Sequence, residues 1–179
     1  MGRSPQGMLA VQRRPSMDAG LTSDIIIQPV RSQRDLEATA ALFELYAASL
    51  PIDLDYQDFH AEVAGLPGKY APPRGELLLA RRADTEALGC VGLRPLGFNG
   101  HCEMKRLFLL PAARGLGLGR SLTEAVIRQV VRIGYRQLLL DTLPSMTTAI
   151  SLYRQLGFEP IPAYYAPTPE GTVFLSLGL

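Results

Sequence analysis

The chain has 179 residues, enough for one well-buried core and short for two. Its 18 Lys and Arg balance 17 Asp and Glu to a formal charge of +1, which removes the electrostatic case for nucleic acid or an acidic membrane surface. An apolar fraction of 47% without any run of roughly 18 apolar residues is that of an ordinary globule, and no membrane span is expected.

Residues 1–23 mix Gly, Pro, Ser and Arg without periodicity and read as a flexible tail. Arg13 and Arg14 are followed by no apolar signal segment, and Gly2 lacks the hydroxyl residue at position 6 of a myristoylation signal, so a cytoplasmic protein is expected. Residues 24–179 read as one domain. The β-branched run "DIIIQPV" predicts a first strand. Helical spacing then runs from Ser32, a candidate cap, to Pro51, and a weaker helix covers "YQDFHAEVAGL". Three strand-like runs follow, "ELLLARR", "ALGCVGLRPL" and "CEMKRLFLL", joined by links short enough to make them antiparallel neighbours.

A helix is predicted over 117–133, with Leu118, Leu122, Ala125, Val126 and Gln129 or Val130 inward and Gly134 as its stop. "RQLLLDT" is a buried strand, Pro144 opens a helix ending at Gly157, and "FEPIPAY" and "TVFLSLGL" supply the last strands. The fold class is therefore α/β (α+β): a mixed, mostly antiparallel sheet of about seven strands flanked by about four helices. The 117–133 crossover makes one strand pair parallel, and a site is expected at that change of direction.

If 97–100 is a hairpin turn, position 96 faces 101 and Cys102 stands opposite 95, with Cys90 far along the ladder. A disulfide is not expected, and a reducing compartment is. His101 beside Cys102 carries no CxxC or HxxxH spacing, so no metal is expected.

The densest signal is "ARGLGLGR", residues 113–120. A helix start exposes up to four unpaired N–H groups and the positive end of the macrodipole. Glycines at 115, 117 and 119 would let a phosphate reach those N–H groups while Arg114 and Arg120 add charge; a tight strand-to-helix turn is the plainer alternative. The lysine of a P-loop is absent, and Arg120 stands where a dinucleotide fingerprint needs its third glycine. Asp141 mimics the acid of that fingerprint, but the preceding strands read as antiparallel.

Arg114, Gly117 and Gly119 match the [QR]xxGx[GA] loop of the GNAT acetyltransferases, and "LYRQLGF" resembles that family's late helix and turn. The chain is most similar to bacterial members of unassigned substrate carrying an "E-x-KRL" strand, the RGxGxGR loop, "LDT" and a "YY" pair. The resemblance implies acetyl-CoA as co-substrate, its pyrophosphate on the N–H groups of Arg114, Gly115, Leu116, Gly117, Leu118, Gly119 and Arg120. It also implies the pantetheine arm beside Leu107, Phe108 and Leu109.

Direct acetyl transfer needs a neutral amine, a proton acceptor and a proton for the departing thiolate. Tyr153 stands where the family often carries a tyrosine that donates to sulfur; by periodicity alone it is an aromatic on a buried helix face. Glu103 matches a glutamate that serves some members as general base. If alternation is unbroken it shares a strand face with Lys105, Leu107 and Leu109, in a largely apolar cleft. It could equally bind the acceptor ammonium or pair with a neighbouring cation. Arg94, Lys105 and Arg106 could clamp an acceptor carboxylate. Tyr164 and Tyr165 could wall the acceptor pocket, with Tyr56, Phe59 and His60 as further candidates. The expected activity is N-acetylation of a small-molecule amine acceptor by a monomer or homodimer. A non-catalytic acyl-CoA-binding or regulatory module is the alternative.

Overall fold

The computed structural model describes residues 24–82, 86–97 and 100–179; the expected tail and the tips of two hairpin links lie outside it. Seven strands form one sheet: β1 (Ile25–Pro29), β2 (Glu76–Arg82), β3 (Glu86–Pro95), β4 (His101–Leu109), β5 (Gln137–Thr142), β6 (Glu159–Pro160) and β7 (Val173–Gly178). Their order is β1-β2-β3-β4-β5-β7-β6, antiparallel throughout except for the parallel pair β4–β5. Four α-helices complete the described fold: α1 (Gln33–Ala48), α2 (Phe59–Ala64), α3 (Leu118–Ile133) and α4 (Thr147–Gln155).

Helix α1 begins where Ser32 promises. Its side chain accepts from the Asp35 N–H while the Asp35 carboxylate accepts from the Ser32 N–H, which closes a capping box. Helix α3 buries Leu118, Leu122, Ala125, Val126 and Val130, so the expected apolar stripe runs through Val130 rather than Gln129. Helix α4 starts three residues later than Pro144 suggests, because Leu143–Met146 is spent on a turn. "FEPIPAY" yields only a two-residue strand: Pro160 and Pro162 have no N–H to continue a ladder.

Two cores sandwich the sheet. On one face Leu78, Val91, Leu93, Met104, Leu138 and Leu140 pack with α3, Tyr153 and Phe158. On the other, Phe43, Leu77, Leu79, Cys90, Phe108 and Tyr70 pack beneath α1 and α2. Gly92 serves this second core directly: a Cβ there would lie 2.5 Å from the Tyr70 ring. The β3–β4 hairpin has the expected register, with Leu96 N–H bonding the His101 carbonyl and Pro95 opposite Cys102. Cys90 instead opposes Phe108, and both cysteines are free and buried. Among the described residues no helix is long and apolar enough to cross a membrane.

Candidate active site

Strands β4 and β5 are paired only at His101–Glu103 with Gln137–Leu139, and beyond Glu103 they part. The cause lies in β4. Its register against β3 shifts between Cys90 and Gly92, and Arg106 takes φ 58°, the left-handed region that an L residue occupies at a cost. This is a β-bulge, which bends the strand and adds one residue to it. The bulge also breaks the alternation expected along β4. Met104, Leu107 and Leu109 pack toward the α3 core, whereas Glu103, Lys105 and Arg106 have their partners on the α1–α2 side. Glu103 therefore does not share a face with Leu107 and Leu109.

Past the bulge β4 offers an open edge. Leu110 N–H donates to the Leu88 carbonyl at 2.9 Å, so alternation turns the amides of Leu107 and Leu109 away from β3 and into the gap. The cleft so formed is lined from β4 by Lys105, Arg106 and Leu107, from β5 by Leu140 and Asp141, and from α4 by Tyr153. Tyr46 and the 50–57 segment close its other wall. Tyr153 is buried with its ring 5.6 Å from that of Phe158, and its hydroxyl has no hydrogen-bond partner among the described residues. Burial, with Tyr46 and Asp141 nearby, pushes that hydroxyl's pKa well above the ordinary tyrosine value.

Behind the cleft lies a connected set of ion pairs. Arg106, 5% exposed, donates Nε and Nη2 to the two oxygens of Glu62 at 2.9 and 3.0 Å, and Nη1 to Gln57 at 2.9 Å. Burial alone would lower its pKa; Glu62 outweighs that and raises it. Glu62 also accepts from the Tyr70 hydroxyl at 2.9 Å. Lys105 donates to Asp141 at 2.6 Å and approaches Glu103 at 3.7 Å. Glu103, 1% exposed, accepts from Arg94 at 2.8 Å and from Tyr164 at 2.6 Å. Its surroundings are thus charged and polar, not the apolar cleft expected for it, and it does not line the opening.

The same pairs bear on the expected carboxylate clamp. Arg94 is held by Glu103, Lys105 by Asp141 and Arg106 by Glu62, so each candidate cation already has a carboxylate of its own. Tyr164 and Tyr165 pack against Phe174, and Tyr165 accepts from Gln57 at 3.0 Å under the Lys105 ammonium. Burial and the negative charges of Glu103 and Asp141 raise the pKa of both hydroxyls. Of the further aromatic candidates, Tyr56 lines the cleft, while Phe59 stacks beside the Arg106 guanidinium and His60 is turned outward. Asp141, Glu62, Gln57 and Tyr46 escaped sequence reasoning as site residues. Only Asp141 left a signal, the lone acid in the buried run "LLLDT".

The loop after β4 sorts its residues by size. Leu116 and Leu118 pack with Leu88 and Ala113 and pin the loop to the sheet. Alternating with them, Gly115 and Gly117 adopt φ 79° and 76°, and a Cβ on either would meet no protein atom within 4 Å. No side chain caps α3, so the N–H groups of its first turn open outward beside the free edge of β4. Arg114 bonds the Leu109 carbonyl at 3.4 Å, which brings its charge to the cleft edge. Arg120 is turned toward Gln155 and Glu124. Phe108 points the other way, edge-on to Tyr46 in the α1 core, and its backbone is paired with Cys90 of β3, so it does not share the open edge of Leu107 and Leu109.

Two parted parallel strands with an unpaired peptide edge, leading to an uncapped helix start cleared by glycines, could hold an extended ligand with an anionic group. Residues 39–158 match the model of the acetyltransferase (GNAT) family. An uncharacterized N-acetyltransferase of Schizosaccharomyces pombe is 37% identical over 155 residues, covering 87% of this chain and 95% of its own. One of Dictyostelium discoideum is 28% identical, with 87% of this chain and 100% of that one covered. An acetyltransferase from Streptococcus agalactiae superposes with a TM-score of 0.72 at 19% identity, over 88% of this chain and 99% of that one, and shares the fold. The chain belongs to the GNAT family of acetyltransferases. With a yeast and a slime mould among the relatives, the likeness is not particular to bacterial members.

Proposed function

We propose that the protein moves an acetyl group from acetyl-CoA to a primary amine of a small acceptor by direct attack. What carries this reading is the meeting of three features at one gap: the open β4 edge, the glycine-cleared start of α3 and the unbonded Tyr153 hydroxyl. The residues fit the co-substrate. Space beside Gly115 and Gly117, together with the unpaired N–H groups, suits a pyrophosphate, and the amides of Leu107 and Leu109 suit an amide-bearing arm laid along the edge.

Acetyl-CoA, when bound, supplies the acetyl group as a thioester whose C–S bond breaks as the N–C bond forms. The acceptor ammonium first loses one proton to solvent. Tyr153 then gives its hydroxyl proton to the sulfur, and the second proton leaving nitrogen restores the phenol, so protons balance across the step. Its raised pKa keeps Tyr153 protonated as a donor at neutral pH. Glu103 acts as a positioning residue in this scheme, holding Tyr164 and Arg94 behind the cleft wall. Arg94, Arg106 and Tyr165 join it there.

Calorimetric titration with acetyl-CoA tests the cradle, with Gly119→Ala as the variant. A Cβ at Gly119 would make only ordinary contacts, 3.7 and 3.8 Å from Leu152 and Leu109, so the fold tolerates it. Alanine's helix propensity exceeds glycine's, so the variant should be no less stable. Weaker coenzyme binding by a protein at least as stable supports a ligand at this helix start. Undiminished binding refutes the cradle, and absence of binding by the wild type refutes the function.

A further inference from the structure

The charges around the cleft restrict what the acceptor can be. Three cations and three carboxylates face one another there, and they pair completely: Arg94 with Glu103, Lys105 with Asp141, Arg106 with Glu62. Arg106 spends all three guanidinium nitrogens on Glu62 and Gln57. Lys105 is 6% exposed and lies between Asp141, Glu103 and the Tyr165 ring. Among the described residues lining the cleft the cations are Lys105 and Arg106, both committed, so a carboxylate carried in by the acceptor would meet neutral hydroxyl donors at most and would be buried without a countercharge.

An ammonium is served differently. Asp141 sits at the end of β5 where the strands part, and among the described residues it is the one carboxylate lining the cleft. A carboxylate has about four acceptor positions, and Lys105 occupies Oδ1 alone at 2.6 Å. Capacity for a further N–H donor remains. The walls of the cleft are largely apolar and aromatic, with Leu50, Ile52, Leu54, Leu143, Met146 and Tyr46 among the residues lining it.

Resting on the acetyl-transfer reading, we propose that the acceptor is a primary amine on an apolar or aromatic body, without a carboxylate beside the amine, and that Asp141 binds its ammonium. Asp141 is then a substrate-binding residue, and an α-amino acid is the class the site rejects.

Phenylalanine, phenylalaninamide and 2-phenylethylamine form a matched series differing only at the carboxylate. Binding of each to the acetyl-CoA-loaded protein, by saturation-transfer NMR, and thiol release from acetyl-CoA should both favour the amide and the amine over the acid by about 10- to 100-fold. Asp141→Asn should raise KM for the amine about tenfold and leave that for acetyl-CoA unchanged. It also releases Lys105, so the preference against the acid should narrow in that variant, an effect mere loss of packing would not produce. Preference for the acid, or no discrimination within the series, silence from all three included, overturns the proposal. Calorimetry with acetyl-CoA on the same samples separates the two failures: a protein that binds the coenzyme but not this class of amine loses only the acceptor assignment.

Discussion

Replacing Tyr153 by Phe separates chemistry from packing more sharply than any other single change here. The ring would stay where it is, 5.6 Å from Phe158 and buried against the α3 core. Only the hydroxyl is lost, and it has no hydrogen-bond partner among the described residues, so no protein donor or acceptor is stranded. Stability should therefore shift by no more than about 0.5 kcal/mol. Turnover should not be so tolerant. A positioned general acid contributes about 10²–10⁴ in rate, so kcat should fall by that factor with KM for acetyl-CoA nearly unchanged. Thiol release gives kcat, and urea unfolding monitored by circular dichroism gives stability. Because burial raises the Tyr153 pKa, the wild-type rate should show no alkaline loss from this group up to about pH 10. An unchanged kcat, or a kcat that falls only as stability falls, would refute the assignment of Tyr153 as the donor.

Arg106→Met should cost about 3–5 kcal/mol, because it leaves the Glu62 carboxylate buried and short of its main partner. The pH dependence of that loss has a definite sign. Burial raises the Glu62 pKa, but hydrogen bonds and attraction from Arg106 outweigh it and hold the group below the usual glutamate range. The advantage of wild type over the variant is then complete above about pH 4.3, the unfolded value, and shrinks as pH falls through the folded pKa. Urea midpoints from pH 7 to 3 read this directly, and a constant gap would contradict it. A disulfide reagent should find both thiols silent in the native protein and reactive once it is unfolded. Cys90 and Cys102 are fully buried, and burial pushes Cys102 up to about 12.

How much of this was legible in advance differs between the two halves of the site. The side proposed for the coenzyme is written in local sequence. Glycines alternating with leucines at 115–119 state both which residues anchor the loop and which leave backbone bare, and the start of α3 just after Gly117 follows. The hairpin register from Gly97 to Gly100 was equally local. The side proposed for the acceptor depends on contacts between residues far apart in the chain: Glu62 with Arg106, Gln57 with Tyr165, Tyr164 with Glu103. No periodicity encodes those pairs, and the 51–75 segment that contributes Glu62 and Gln57 read as little more than a weak helix and a loop.

The misjudged face of β4 does have a signal in retrospect. Lys105 and Arg106 are adjacent in a strand covered on both sides, so strict alternation would drive one of two charges into the apolar core beneath α3. Burying an unpaired guanidinium there costs more than the roughly 1–2 kcal/mol of a left-handed residue. The bulge at Arg106 is the less costly solution, and it turns both cations to the side where carboxylates wait. The same extra residue bends β4 away from β5, opening the cleft, and returns Leu107 and Leu109 to the α3 face with their amides directed into the gap. Two neighbouring charges in "EMKRLFL" thus account for the opening of the sheet, the exposed peptide edge and the paired charges behind the cleft.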